Sequence, residues 1–374
     1  MQSNISSTVN LIGLLIMHYI TISIFIILFS ISSLAQTTFS GGQISSGKIS
    51  SSDTFNSSQD SFIDGKYTFK EVLNEKTELY FTPDITQKTI GNVKEWYEIA
   101  IQNWGLIGPL EIYIIGNKIS DAKVLEDYFC QKHVKLDKEW KKKFNLEGWS
   151  VKYDCASDRH KIFTQYVEDG GASISTYRKE HLNYEFYVMK LASKRPHPNE
   201  EDYKVTLLHE YFHVYQHHHI SGKCSDDRRK KCERDKKATG EYDKRPWFHE
   251  GGAEYSGQLL YRETTGNKKY FFSQMKRKHK KSLNRYKNEY NMDLKSITYK
   301  KDKNIAYDIG SWFIAYLYSK EGEEKHKKNF YKDLDKLGFE GSFVKNFGKS
   351  SDEYIEEFNK FITKPWSQIQ KVLP

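Results

Sequence analysis

The chain has 374 residues, with 58 Lys and Arg against 49 Asp and Glu, for a formal charge of +9. Hydrophobic residues make up 38% and charged ones 29%, and 26 Tyr, 22 Phe and 7 Trp supply the core material that a disordered chain lacks, which excludes disorder of the whole. The first 35 residues hold no Lys, Arg, Asp or Glu, so every such charge sits on the rest of the chain. That excludes a polytopic membrane protein and fits one large domain or two modest ones.

From Leu11 to Ala35 the chain reads LIGLLIMHYITISIFIILFSISSLA, uncharged and apolar. Residues 1–35 read either as a signal peptide, with Ser33-Leu34-Ala35 in the small-x-small form of a cleavage site, or as a retained membrane anchor. The first Lys or Arg is Lys48, which for an anchor argues for a cytosolic body. Residues 36–64 are Ser-rich and read as a flexible stem carrying the sequon Asn56-Ser57-Ser58. Beyond it, 79–82 (LYFT) and 110–115 (LEIYII) have the pattern of short strands, and 92–103 carries Val93, Trp96, Ile99 and Ala100 at helical spacing. Residues 119–146 read as a basic helix, Gly170-Gly171 as a turn and 184–189 as a strand. Amphipathic helical runs follow near 203–219, 247–264, 268–286, 306–320 and 352–362. The fold class is therefore α+β, with a strand-bearing half at 65–200 and a helical half at 201–374.

Four cysteines fall into two local pairs, Cys130 with Cys155 and Cys224 with Cys232, neither with metal or redox spacing. In an exported chain they read as two disulfides, although four cysteines allow three connectivities and unpaired buried thiols are the alternative. These pairs argue for a secreted or lumenal protein, with a single-pass anchored one as the alternative and membrane contact only through 11–35. Basic clusters at Lys230-Lys231, Lys236-Lys237, 276–281 (KRKHKK) and Lys300-Lys301 fit either an anionic surface or solvated helix faces. No nucleic-acid motif accompanies them, so no specific nucleic-acid partner is expected.

The chemistry is concentrated in Leu207-Leu208-His209-Glu210-Tyr211-Phe212-His213-Val214. Residues i and i+4 of a helix share a face, so His209 and His213 can place two imidazole nitrogens on one Zn²⁺, with Glu210 beside them to reach an activated water. Downstream, Pro246-Trp247-Phe248-His249-Glu250-Gly251-Gly252-Ala253-Glu254-Tyr255 reads as a helix start with Pro in its first turn. Glu250 would complete a His2Glu site for one zinc per chain, and its small residues would let this helix approach the first. Glu254, four residues on, could accept the N–H of a ligand histidine. The alternative for Glu250 and Glu254 is an acidic helix surface. His217, His218 and His219 follow the motif; His217 continues its face, but the tandem is expected to be solvated.

These residues resemble the gluzincin metallopeptidases, especially peptidase-MA-like domains with H-E-Y-x-H-x-x-Q followed by W-x-x-E-G-x-A-x-Y. The chain has His209-Glu210-Tyr211-Phe212-His213-Val214-Tyr215-Gln216 and then Trp247-Phe248-His249-Glu250-Gly251-Gly252-Ala253-Glu254-Tyr255. The resemblance covers about residues 66–364, with specific motifs in 207–310. It implies a thermolysin-like fold and peptidase activity on a peptide or protein substrate. It also implies His209, His213 and Glu250 as zinc ligands, Glu210 as general base and Glu254 as the support of a histidine ligand. Ala306-Tyr307-Asp308-Ile309-Gly310 is similar to the Tyr-x-x-Gly of aminopeptidase N-like members, which implies that Tyr307 stabilises the oxyanion; otherwise it is one more helical aromatic. The 214–249 connection, holding Cys224 and Cys232, is longer than that of thermolysin or aminopeptidase N, and the Gly-Ala-Met-Glu-Asn segment of aminopeptidases is missing. Residues 170–175 (GGASIS) read either as an edge strand for substrate or as a plain turn and strand. The alternative functional class is a non-catalytic binding or adhesion protein that works through its basic surface; a third, intracellular nucleic-acid binding, requires the leader to be retained on a cytosolic protein.

Overall fold

The computed structural model describes residues 61–63, 66–144, 155, 162–178, 185–219 and 245–374. The 1–35 leader, most of the 36–64 stem and the Cys224–Cys232 pair lie outside them. One part of the stem reading is corrected: Ser61–Ile63 is a strand, β1, paired antiparallel with β2 (Lys66–Asn74).

The described strands form one mixed sheet. Its other members are β3 (Thr77–Phe81), β4 (Leu110–Ile115), β5 (Ala172–Arg178) and β6 (Glu185–Ala192), in the order β1-β2-β3-β4-β6-β5. β3, β4 and β6 run parallel, while β2 and β5 pair antiparallel with their neighbours. Parallel strands need crossovers that cover the sheet faces, and here helices α1 (Gln87–Trp104) and α2 (Ile119–Phe144) lie between them in sequence. This explains why the strands read as continuous apolar runs: Leu79, Phe81, Ile112, Ile114, Met189 and Leu191 enter one core, and Tyr80, Tyr113, Ile115, Phe186, Val188 and Ala192 enter another. The second core includes Phe129 of α2 and Phe163, Tyr166 and Val167 at the short helix α3 (Thr164–Asp169). Cys130 of α2 is disulfide-bonded to Cys155, the first of the two expected pairs.

From residue 201 onward the described chain is helical. α4 (Glu201–His218) has Glu201 and Asp202 in its first turn and His217 and His218 in its last, which complements the helix dipole. α5 (Pro246–Thr265) starts with Pro in its first turn and stops at Gly266, whose φ of 69° is the left-handed conformation that glycine adopts without strain. α6 (Lys268–Glu289), α7 (Tyr299–Glu321), α8 (Tyr331–Phe347), α9 (Ser351–Ile362) and the short α10 (Trp366–Ile369) follow. Ser350 and Glu353 form a reciprocal capping box at the start of α9. α4, α5 and α7 are buried along much of their length in the same core as the Leu79 face of the sheet. Among the described residues no helix is long and apolar enough to cross a membrane.

Candidate metal centre

Two helices carry the HExxH and Glu250 segments, and glycines set how closely they pack. A Cβ on Gly257 would stand 3.1 Å from the His209 amide nitrogen and 3.2 Å from the Val205 carbonyl oxygen, so it is Gly257 that allows α5 to lie against α4. Of the small residues Gly251, Gly252 and Ala253 expected at that contact, Gly252 also faces α4, a Cβ there standing 3.1 Å from Gln216 Nε2, but Gly251 does not. A Cβ on Gly251 would overlap the backbone of Gly310 on α7, and one on Gly310 would overlap the Trp247 carbonyl. Gly251 and Gly310 thus let α5 and α7 cross backbone to backbone, which brings Tyr307, one turn before Gly310, over the His209 ring.

At the centre, His209 Nε2 and His213 Nε2 lie 2.9 Å apart, and Glu250 Oε2 lies 3.3 Å from the first and 3.1 Å from the second. All three residues are buried. Both histidines direct their other nitrogen outward. His209 Nδ1 faces Glu254 Oε2 at 3.3 Å, and His213 Nδ1 donates to Gln216 Oε1 at 2.7 Å. The Gln216 amide cannot turn over, because its nitrogen donates to the His249 carbonyl at 3.1 Å and to the Tyr331 hydroxyl at 2.9 Å. With both rings neutral, as metal ligands must be, the Glu254 carboxylate facing His209 Nδ1 and the Gln216 carbonyl oxygen facing His213 Nδ1 favour the proton on Nδ1 of each ring and leave each Nε2 as a lone pair aimed inward.

In that neutral state two nitrogen lone pairs and a carboxylate oxygen crowd one point, which is the donor set that a divalent cation satisfies. The electrostatics carry the same deficit of positive charge. Burial disfavours His209 protonation, yet Glu250 and Glu254 outweigh it and raise the ring to about 10. Burial raises the Glu250 carboxyl, but His213 and His209 hold it well below the usual carboxylate range. Burial also acts upward on Glu254, and Lys278 and His209 overcome it and push its carboxyl down.

No family model, curated protein or solved structure matches the chain.

Around the centre stand the other expected residues. Glu210 is buried, which raises its carboxyl above the ordinary value, and it accepts the backbone N–H of Ile174. Ile174 belongs to β5, the strand at the end of the sheet order, so the 170–175 segment is a turn leading into an edge strand beside the centre. Tyr307 stacks on His209 with ring centroids 5.4 Å apart and planes 15° off parallel. Burial, with Glu250 and Glu210 nearby, pushes its hydroxyl well above the usual tyrosine range and keeps its proton on. His217 is not solvated as expected: it is half-buried, its Nδ1 2.6 Å from Thr176 Oγ1 of β5 and its ring stacked on His249 at 5.5 Å. His218 is exposed.

The structure also recruits residues that sequence reasoning left out. Tyr299 donates to Glu250 Oε1 at 2.8 Å and lies 2.8 Å from His249 Nδ1, so it occupies the carboxylate oxygen that does not face the histidines. Gln216 was part of the motif but had no role; its position three residues after His213 places it on the same helix face. Lys278 pairs with Glu254 at 2.8 Å. Its signal was its place on the stripe of Phe271, Met275, Ser282 and Tyr286, the other buried residues of α6.

Proposed function

We propose that the chain is a zinc-dependent peptidase of the gluzincin type, exported or membrane-anchored, that hydrolyses peptide bonds with an activated water. The observation that carries this reading is the convergence of His209 Nε2, His213 Nε2 and Glu250 Oε2, with Glu210 next in sequence to the first ligand. A zinc ion held by these three would supply Lewis-acid polarisation of a water and of the scissile carbonyl. Glu210, with its carboxyl raised by burial, takes the proton from the attacking water and delivers it to the leaving amine. The protonated hydroxyl of Tyr307 donates to the oxygen that gains negative charge. Glu254 and Gln216 hold the two imidazoles in the ligand tautomer, and Tyr299 holds Glu250 so that Oε2 faces them. An extended peptide lying along β5 would reach this centre by strand addition. The Cys130–Cys155 disulfide supports an oxidising compartment, where such bonds persist.

The test compares the full chain with Glu210→Gln on a fluorogenic peptide library, with bound zinc measured in both. The expected result is equal zinc and a rate lower by about 10²- to 10⁴-fold in the variant. A folded, zinc-loaded Glu210→Gln protein that cleaves at the parent rate would sink the mechanism. Zinc-loaded parent protein that cleaves nothing in the library would move the assignment to a binding protein on this scaffold.

A further inference from the structure

The basic run on α6 splits between two environments. Lys276, Arg277, Lys280 and Lys281 are exposed, whereas the Lys278 side chain is 7% exposed. Its Nζ lies 2.8 Å from Glu254 Oε1 on α5 and 3.6 Å from Asp308 Oδ1 on α7. Asp308 is itself anchored: Ser282 Oγ donates to Oδ2 at 2.5 Å, and Lys281 Nζ stands 3.4 Å from the same oxygen. Glu254 turns its other oxygen to His209 Nδ1 at 3.3 Å, and Gln258 donates to Oε1 at 3.2 Å. Four consecutive helices thus contribute one residue each to a line of alternating charge that ends on a metal-centre histidine.

A lysine buried on an otherwise largely apolar stripe is not needed for packing. An apolar residue of similar volume often gives equal or greater stability than a buried ion pair, so this geometry calls for a purpose other than filling space. Among the described residues Lys278 is the only Lys or Arg within ion-pair distance of Glu254. We infer that Lys278 is a positioning residue of the metal centre: its ammonium, gripped between Asp308 and Glu254, aims the Glu254 carboxylate at His209 and so fixes that ring as an Nε2 ligand. The inference rests on the metal reading above. Because Asp308 follows Tyr307 directly in sequence, the same grip ties the helix that carries the tyrosine to the helix that carries Glu250.

The test uses the full chain with Lys278→Met, Lys278→Arg, Asp308→Asn and Glu254→Gln, and His213→Ala as the ligand control. Two quantities are read: zinc affinity by chelator competition, and the His209 tautomer in metal-free protein, by ¹⁵N NMR of labelled histidine at a pH high enough for the ring to be neutral. Loss of Lys278 should weaken zinc binding by about 10- to 100-fold, the range found when a ligand's hydrogen-bond partner is disturbed, and should mix the His209 tautomers. Lys278→Arg should restore most of both, and Lys278→Met combined with Glu254→Gln should bind zinc no more weakly than Glu254→Gln alone. If Lys278→Met does not fold, Asp308→Asn decides, since it keeps the Lys278–Glu254 pair but frees its far end; a smaller loss in both readouts is expected. Folded variants with parental zinc affinity and an unchanged Nδ1–H on His209 overturn the inference. Zinc lost in His213→Ala but untouched in Lys278→Met overturns this inference alone. A parent chain that binds no zinc overturns the metal reading, and the tautomer comparison still settles whether Lys278 positions His209.

Discussion

Two buried clusters of this protein are built from the same side-chain types and organised in opposite ways. On the α2 face of the sheet, Glu111 accepts from Lys132 at 2.5 Å and Tyr113 at 2.7 Å, and His133 Nε2 lies 2.8 Å from it. Glu78 accepts from Lys70, Lys132 and Tyr80, each at 2.6 Å, and Lys132 also donates to the Tyr80 hydroxyl at 2.7 Å. Each carboxylate there meets donors. Burial raises Glu78, and its lysine and tyrosine partners bring it down to about 2. In the α4–α5 cluster, once its rings are neutral, His209 and His213 turn acceptors toward the Glu250 carboxylate and spend their donors on the outside. What separates a framework cluster from a ligand site is thus the direction of its donors, which residue content alone does not reveal.

Substitutions can break this contrast most directly. Glu250→Ala should abolish zinc binding while leaving the metal-free protein about as resistant to denaturant as the parent at a pH above 10, where His209 is neutral and the change relieves a crowd of acceptors. Lys132→Met should do the reverse. It takes one charged donor from buried Glu111 and from half-buried Glu78, which keep Tyr113, Lys70 and Tyr80, so stability should fall by about 1–3 kcal/mol and lower the urea midpoint with zinc stoichiometry intact. If both variants lose the same property, the two clusters are not different in kind.

Proton competition sharpens the same contrast. The metal-free centre answers its deficit of positive charge by holding a proton on His209 up to about pH 10, whereas a metal ligand must be neutral. Below that pH, zinc loading displaces the proton, so apparent affinity should fall about tenfold for each pH unit lost between 9 and 7. The stability term has the matching sign. The raised His209 stabilises metal-free protein fully below its free value of 6.5, and that contribution disappears as pH rises through about 10. Glu254→Gln, by removing one of the carboxylates that raise the ring, should flatten the affinity profile at its alkaline end. Chelator-buffered titrations across this range would measure it, and an affinity indifferent to pH would contradict the protonated centre.

The sequence made some of this legible for a definable reason. His209, His213, Glu250 and Glu254 were found because their relations are local, i to i+4 within two helices, and Tyr307 was added by resemblance. Tyr299, Lys278 and Asp308 were not, because their partners lie on other helices and no spacing announces them. The reading of the fold failed in the same way where local pattern is interrupted. β2 gives no clear strand pattern in the sequence: its register shifts between Val72 and Asn74, which breaks the alternation a strand should show. α8 was missed because Gly338 sits inside it at φ 71°, a kink that ruins the helical periodicity. His217 differs from its expected exposure because a His tandem looks solvated until Thr176 of the sheet edge is placed against it.

Another buried histidine separates the two effects, carboxylate pairing and burial, that are combined in the first two clusters. His326 is fully buried. It is met by the Tyr318 hydroxyl 2.9 Å from Nδ1 and by the Tyr331 hydroxyl 3.4 Å from Nε2. Tyr331 accepts from Gln216, so its own proton is free for His326 Nε2, and His326 then donates from Nδ1 to Tyr318. Burial, with Lys327 nearby, lowers the ring to about 3. The unfolded chain takes up a proton on this residue near 6.5 and the folded one does not, so stability must fall as pH drops below 6.5 and go on falling until about 3. The slope is about 1.4 kcal/mol per pH unit once the unfolded form is protonated, so the parent should lose roughly 2 kcal/mol more than His326→Gln between pH 7 and 5. Urea unfolding of zinc-free protein at the two pH values measures the difference, and parallel losses in parent and variant would mean that burial alone does not hold His326 neutral.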